Sequence, residues 1–361
     1  MIKKRLKLLF VVLIILFIII NILINIITQI KLNKFQKMNY EDMINYTLEN
    51  NEQAKISIAI IKDGKIEYEV YESGYGKTDN INYEYEIGSI SKTFVGLMIS
   101  KAEYENKIDV QDSINEYLDL EKDKYYPTIE RLLTHTSGYK GFYPSVKTTI
   151  NQIKGENAFY DIDKEKIFKI VSKTKLENKD YEFEYSNFGI SVLGLVLEKV
   201  YNKDYITLMN DFIKNDLKLY NTEVAKSKGN LSDYMNWKQD DGYIPAGAII
   251  SNINDMAEYL NMYLMKEELY ITQTYEELKQ INANNKNYEK LDIRFDKIGF
   301  TWCINDKNDI IWHNGGTNNF NSYIGFNKKK NIGVIVLSNL KPSKDISATI
   351  IGNKKLIMEA N

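Results

Sequence analysis

The 361-residue sequence predicts an α/β (α+β) fold: an antiparallel sheet assembled from both ends of the chain, flanked by helices, with an additional helical region. Three observations carry this expectation. An uncharged apolar run opens the chain, strand-like patterns cluster at residues 56–71 and 299–338, and mostly helical patterns fill the interval. With 44% hydrophobic and 12% aromatic residues, the chain has ample material for a packed core and is not globally disordered.

Residues 8–30 are Leu, Ile, Val and Phe, interrupted only by Asn21, Asn25, Thr28 and Gln29. A bilayer core of roughly 30 Å needs about 20 such residues in a helix. A cleaved signal peptide needs small residues at its cleavage site. Between Met1 and Gln53 there is no Ala, Gly, Ser or Cys, so the segment is expected to remain as a transmembrane anchor. Lys3, Lys4, Arg5, Lys7 and the amino terminus outweigh Lys31, Lys34 and Lys37, which places the N-terminus in the cytoplasm. The expected layout is a cytoplasmic tail at 1–7, a single-pass anchor at 8–30, a juxtamembrane segment at 31–48 and one extracellular domain at 49–361.

Within that domain, residues 56–61 and 66–71 flank Lys62-Asp63-Gly64-Lys65, a β-hairpin with Asp-Gly in its turn. Residues 299–304, 310–313, 321–326 and 333–338 read as four further strands. Residues 93–105, 190–201 and 255–265 read as helices. Residues 266–297, rich in Glu, Lys, Asn and Tyr, read as a surface insertion with one short helix.

Charge and composition narrow the chemistry. Residues 1–37 carry seven basic side chains and no acidic one, so a chain with a formal charge of −2 divides into a basic N-terminus and a body at −9. An acidic body argues against nucleic-acid binding. The single cysteine, Cys303, excludes an intramolecular disulfide and a cysteine-rich zinc site, and two histidines leave little for a metal centre. No metal or cofactor is expected.

Three motifs have chemical potential. In Ser89-Ile90-Ser91-Lys92, positions i and i+3 share a helix face, so the hydroxyl and the amine can meet. Serine becomes a competent nucleophile when a neighbouring base takes its proton, and a lysine whose pKa is lowered by burial can be that base. The pattern recurs at Ser172–Lys175, which shows how cheaply it arises. In Tyr185-Ser186-Asn187, a phenol able to relay a proton stands beside an amide able to hold a substrate carbonyl or the lysine. Tyr-x-Asn also occurs at Tyr234 and Tyr259. His313-Asn314-Gly315-Gly316 ends a strand, where glycines let a substrate or oxyanion approach main-chain N–H groups.

Order and surroundings lift these weak signals together. Glu86-Ile-Gly-Ser-Ile-Ser-Lys-Thr-Phe94, Arg131-Leu-Leu-Thr-His-Thr-Ser-Gly138, Tyr185-Ser-Asn-Phe-Gly189, Pro245-Ala-Gly247 and His313-Asn-Gly-Gly316 resemble the class C β-lactamase and penicillin-binding-protein-like serine hydrolases. The resemblance runs over residues 50–340 and includes the strand Gly333-Val-Ile-Val-Leu-Ser-Asn339. It implies a β-lactamase/DD-peptidase-like fold, with Ser89 as the acylated nucleophile, Lys92 as its base or proton partner and Tyr185 as proton shuttle. It further implies that Asn187 positions substrate and lysine, and that His313, Asn314 and Gly315 form the third motif. The backbone N–H groups of Ser89 and Gly316 would be the oxyanion hole. His135 and Pro245-Ala246-Gly247 would be structural, and Trp302, Trp312 and Cys303 core.

Two departures lie beside the site. Lys179-Asp180 stands where the family often has Pro-Gly, and Asn318-Asn319 replaces small turn residues after the glycine pair. The third motif begins with histidine rather than lysine, which removes a permanent charge for a substrate carboxylate. The expectation is therefore a membrane-tethered hydrolase acting on a peptidoglycan- or teichoic-acid-related peptide or ester, or another small molecule, with D-alanyl groups foremost. The alternatives are a catalytically silent protein that binds wall fragments and a true β-lactamase. Either Lys92 or Tyr185 would be the acylation base.

Overall fold

The computed structural model describes the backbone of residues 2–342 and 346–361, and their side chains except at 2–9 and 11–14. Lys3, Lys4, Arg5 and Lys7, on which the expected orientation rests, therefore lie outside the described side chains, as does Met1 of the expected tail.

Helix α1 (Ile2–Lys37) continues well beyond the apolar run, and α2 (Tyr40–Glu49) follows almost at once. The segment Ile15–Lys37 is long and apolar enough to cross a membrane. Phe17, Ile20, Ile24 and Ile30 all face outward from it. By Leu32 and Phe35 the helix is buried against the domain. Asn39 caps α2, its side chain accepting from the Asp42 N–H. Tyr40, Met43 and Ile44 then enter a hydrophobic core, so part of the expected juxtamembrane stretch packs on the domain.

The strands run in chain order β1 (Lys55–Lys62), β2 (Lys65–Glu72), β3 (Gly76–Thr78), β4 (Glu84–Glu86), β5 (Glu223–Val224), β6 (Ile249–Asn252), β7 (Lys279–Gln280), β8 (Lys297–Ile298), β9 (Cys303–Asn305), β10 (Ile310–Gly316), β11 (Asn321–Asn327) and β12 (Ile332–Ser338). Nine form one antiparallel sheet in the order β3-β2-β1-β12-β11-β10-β9-β8-β7. β1 and β12 are neighbours, with Ile56 opposite Ser338 and Lys62 opposite Ile332, so the sheet is closed by the two chain ends as the sequence predicts. A second sheet has the order β4-β6-β5.

Strand alternation divides the core in two. Ile56, Ile58, Val334 and Val336 face α2 and the C-terminal helix, while Ala59, Ile61, Ile335 and Leu337 face the central helices. Each fully buried aliphatic side chain contributes about 2 kcal/mol. The central helix α3 (Ser91–Tyr104) is buried almost all round, as befits a helix enclosed by other elements. Phe94 stacks on Tyr259 with centroids 4.1 Å apart, fixing α3 against α5 (Ile253–Met265), while α4 (Asn187–Tyr201) supplies the next layer. The C-terminal helix α6 (Ala348–Ala360) covers the opposite face of the sheet.

Two expectations need correction. Residues 299–304 are not one strand: the chain turns at 299–302, closed by Gly299 N–H donating to the Trp302 carbonyl, with Thr301 at φ +68°. Residues 266–297 are not merely a surface insertion. They supply the edge strand β7, the start of its neighbour β8, and the buried Ile271 beside Tyr270, whose carbonyl accepts from Ser100 Oγ on α3. Their polar composition reflects short strands at a sheet edge, which solvent reaches.

Candidate active site

The site begins with a single turn, Gly88–Ile90, leading into α3. β6 braces it on both sides: Ile87 N–H donates to the Ile249 carbonyl at 3.0 Å, and Ile249 N–H donates to Ser91 Oγ at 3.2 Å. The end of β10 backs onto the same turn. Gly88 has φ +51°, and a Cβ there would fall 2.6 Å from the Gly316 nitrogen. A Cβ on Gly315 would fall 1.9 Å from the Ile87 carbonyl oxygen. Both glycines are thus required by close backbone approach, and the Gly316 N–H lies beside the nucleophile turn.

Ser89 is partly exposed, while Lys92 is fully buried beneath it. Lys92 Nζ donates to Ser89 Oγ at 2.9 Å and to the Ala246 carbonyl at 2.6 Å. It also lies 5.0 Å from the Tyr185 ring centroid. Lys92 has no carboxylate within ion-pair distance among the described residues, and burial pulls its pKa from 10.5 to about 7. The Tyr185 phenol is raised above the ordinary tyrosine range by burial, opposed in part by its hydrogen bond with Ser89.

Both histidines lie close to this group. The ring centroid of His135 is 4.7 Å from that of Tyr185, and that of His313 is 6.4 Å away. His135 Nδ1 accepts from the Ser186 N–H at 3.1 Å. His313 Nδ1 lies 2.7 Å from the Asn314 carbonyl oxygen, to which it donates as Nδ1–H. Burial and the nearby Lys92 depress both; His313 falls to about 3, partly offset by the Asn314 carbonyl, and His135 falls well below its ordinary value. Near pH 7 both rings are neutral, the phenol keeps its proton, and Lys92 is the group poised to titrate.

Asn187 opens α4, whose cap is Ser186: its Oγ accepts from the Gly189 N–H at 2.9 Å and donates to the Lys140 carbonyl at 2.7 Å. Asn187 makes no hydrogen bond to Lys92, whose second partner is the Ala246 carbonyl. Asn314 requires a correction as well. Its Nδ2 donates to Thr349 Oγ1 at 3.0 Å on α6, because strand alternation puts His313 and Gly315 on one face and Asn314 on the other. Its side chain therefore does not face Ser89. Trp302, Trp312 and Cys303 are buried in the core, as expected from the sequence.

Several contributors were not identified from sequence. The Ala246 carbonyl belongs to the Pro245-Ala246-Gly247 segment, expected above to be only structural. Buried Glu86 accepts from Thr317 Oγ1 and from the Met235 N–H, each at 2.5 Å, tying the turn after Gly316 to a distant loop. Ser322 Oγ donates to the Ile87 carbonyl at 2.8 Å. Glu86 begins the first motif and was the detectable one; nothing around Ser322 marks it. The two departures engage local structure. Asp180 pairs with Arg131 at 3.2 Å and Lys279 at 3.3 Å, while Asn318 and Asn319 donate to the carbonyls of Gly155 and Asp233.

A family model described as Beta-lactamase matches residues 45–353, most of the chain. The chain belongs to the β-lactamase family. Within it, Protein flp of Staphylococcus aureus strain MW2 is 24% identical over 341 residues, covering 86% of this chain. This chain spans 64% of that relative's length. A β-lactamase/D-alanine carboxypeptidase from Yersinia pestis, solved with citrate, superposes with a TM-score of 0.71 at 18% identity, over 88% of this chain and 95% of that one. A class C β-lactamase superposes with a TM-score of 0.67 at 18% identity, over 92% and 99%. These likenesses establish a β-lactamase/DD-peptidase fold.

Proposed function

We propose that the protein is a membrane-anchored, extracytoplasmic serine hydrolase acting through an acyl-enzyme on Ser89, with a cell-wall-related peptide or ester as substrate. The observation that carries this reading is the buried Lys92 amine, 2.9 Å from Ser89 Oγ with no carboxylate among the described residues to hold its proton. Near pH 7 a substantial fraction is free amine, and the hydrogen bond reverses: Ser89 O–H then donates to the Nζ lone pair.

In the first step the Ser89 proton passes to Lys92 Nζ as Oγ bonds to the substrate carbonyl carbon. The N–H groups of Ser89 and Gly316 receive the developing oxyanion. Collapse expels the amine or alcohol, which takes its proton from the Tyr185 hydroxyl, replenished from Lys92. Water then attacks the acyl-enzyme by the reverse relay. A phenol whose pKa is raised keeps its proton at neutral pH and offers no phenolate to act as the base, which favours Lys92 for acylation and leaves Tyr185 to relay a proton that Lys92 replaces. Asn187, on the rim at the start of α4, is assigned to the substrate.

The neutral His313 supports esters, amides or D-alanyl conjugates over β-lactams, because it offers no permanent cation to a substrate carboxylate. The D-alanine carboxypeptidase description of the Yersinia relative supports the D-alanyl choice. We assign residues 8–30 to the membrane, with residues 1–7 cytoplasmic and the 49–361 domain outside, on the exposed apolar face of α1 and the basic bias of its N-terminus. Mass spectrometry after fluorophosphonate and after penicillin tests the chemistry. An adduct on Ser89 that vanishes in Ser89→Ala is expected; a folded protein that takes no adduct is a binding protein instead. Nitrocefin hydrolysis as fast as that of D-alanyl esters would remove the substrate argument.

A further inference from the structure

Where α1 meets the domain there is a cavity of about 460 Å³. Its walls come from four parts of the chain: Phe35 near the end of α1, Met43 on α2, Lys290 and Asp292 in the 266–297 segment, and Lys354, Ile357 and Met358 on α6. The level of this cavity follows from Gln29, at the end of the apolar run. Its Nε2 donates to Asn287 Oδ1 at 2.5 Å, and its Oε1 accepts from Lys290 Nζ at 2.6 Å. Gln36, also on the cavity wall, lies seven residues further, or about 10 Å along the helix. Beyond the hydrocarbon, each leaflet carries a polar layer roughly 5–8 Å thick. If residues 8–30 span the bilayer, as proposed above, the Gln29–Lys290 contact lies at the inner edge of that layer and Gln36 just beyond its outer edge, so the cavity wall crosses headgroup depth.

Its charge is also distinctive. The domain is acidic overall, yet Lys290 and Lys354 have no carboxylate partner among the described residues. Nor do the exposed Lys31, Lys37 and Lys286 nearby. On the 266–297 wall the acids are already engaged, Asp292 by Lys307 and Glu289 by Arg294 at 2.8 Å. Two ammonium groups without a carboxylate partner, that of Lys290 donating to Gln29 Oε1, therefore line the cavity together with Phe35, Ile357 and the half-exposed Met358. That combination fits a phosphodiester headgroup and the glycerol ester region below it.

We infer that this cavity binds the headgroup of an anionic phospholipid in the leaflet from which α1 emerges. The inference rests on the anchoring reading. The bound lipid would join α1, the 266–297 segment and α6, and so hold the domain at a set height and tilt over the membrane.

The test uses the full chain in nanodiscs of phosphatidylcholine, with and without phosphatidylglycerol. Native mass spectrometry should find phosphatidylglycerol retained through delipidation while phosphatidylcholine is lost. The Lys290→Gln/Lys354→Gln double variant should retain at least tenfold less, at about fivefold per lysine. Ester turnover by the double variant should remain within twofold of the parent, which also reports that it has folded. Equal retention of both lipids, unchanged retention in the variant, or displacement of the lipid by inorganic phosphate would overturn the inference alone. A chain that does not enter nanodiscs overturns the anchoring reading, and this inference with it.

Discussion

Among the described residues two lysines are buried, and they lie on opposite faces of the nine-stranded sheet. Lys355, on α6, stands 3.0 Å from Glu359, 4.0 Å from Glu69 and 4.5 Å from the Tyr40 ring centroid. Lys92, on α3, has a serine hydroxyl and a backbone carbonyl instead. The first is an ion-pair network that ties α6 and β2 to α2. The second is a cation with dipoles but, among the described residues, no counter-charge, so its proton is weakly held. Burial is common to both; the carboxylates separate structure from chemistry.

Substitution should separate the two lysines most sharply. Lys92→Met is expected to lower kcat/KM for a D-alanyl or acetate ester by about 10³–10⁴. It should also raise Tm at pH 6 by roughly 5 °C. Between pH 7 and 10.5 the unfolded chain binds a proton that folded Lys92 does not, so stability rises with pH across that window. Below pH 7 the penalty for burying this lysine is fully present, which is where its removal helps most. Lys355→Met should do the opposite, costing roughly 3–5 kcal/mol in denaturant unfolding while leaving kcat/KM of the remaining folded protein within twofold. Loss of activity in both variants without the opposed stability changes would erase the distinction.

Next in size is Tyr185→Phe, expected to lower kcat by about 10² with little change in KM, since proton delivery to the leaving group is its assigned role. The pH profile follows. With Lys92 the group titrating near neutrality, kcat/KM should fall about tenfold for each pH unit below a limb at about 7. A limb at the ordinary histidine value that His313→Gln abolishes would transfer the base role. The smallest effect is expected from His313→Lys, which should raise the preference for carboxylate-bearing substrates by roughly tenfold. It should also move the Lys92 limb to lower pH through added repulsion. An unchanged preference would remove the substrate argument.

Much of this was legible in the linear chain because the information is local. The apolar run, the Asp-Gly hairpin and the helical placement of Ser89 relative to Lys92 depend on neighbours within a few positions. The pairing of β1 with β12 was also accessible, since strand patterns stood at both ends of the domain. The 299–304 stretch misled because its composition suits a strand, while a turn at Thr301 folds β9 back on β8. Asn314 misled because a motif is read as a unit, whereas a strand sends consecutive side chains to opposite faces.

By itself, then, the sequence determined the anchor-like helix, the closed sheet, the family and the order of the motif residues, since each is written in residue type and spacing. Tertiary structure alone decided the environment of those residues. It buried Lys92 with no carboxylate beside it among the described residues, brought the Ala246 carbonyl to its side and backed Gly315 and Gly316 onto the Ser89 turn. Desolvation and Coulomb interactions act through space, over a few ångströms between segments 150 or more residues apart, and no local pattern records them.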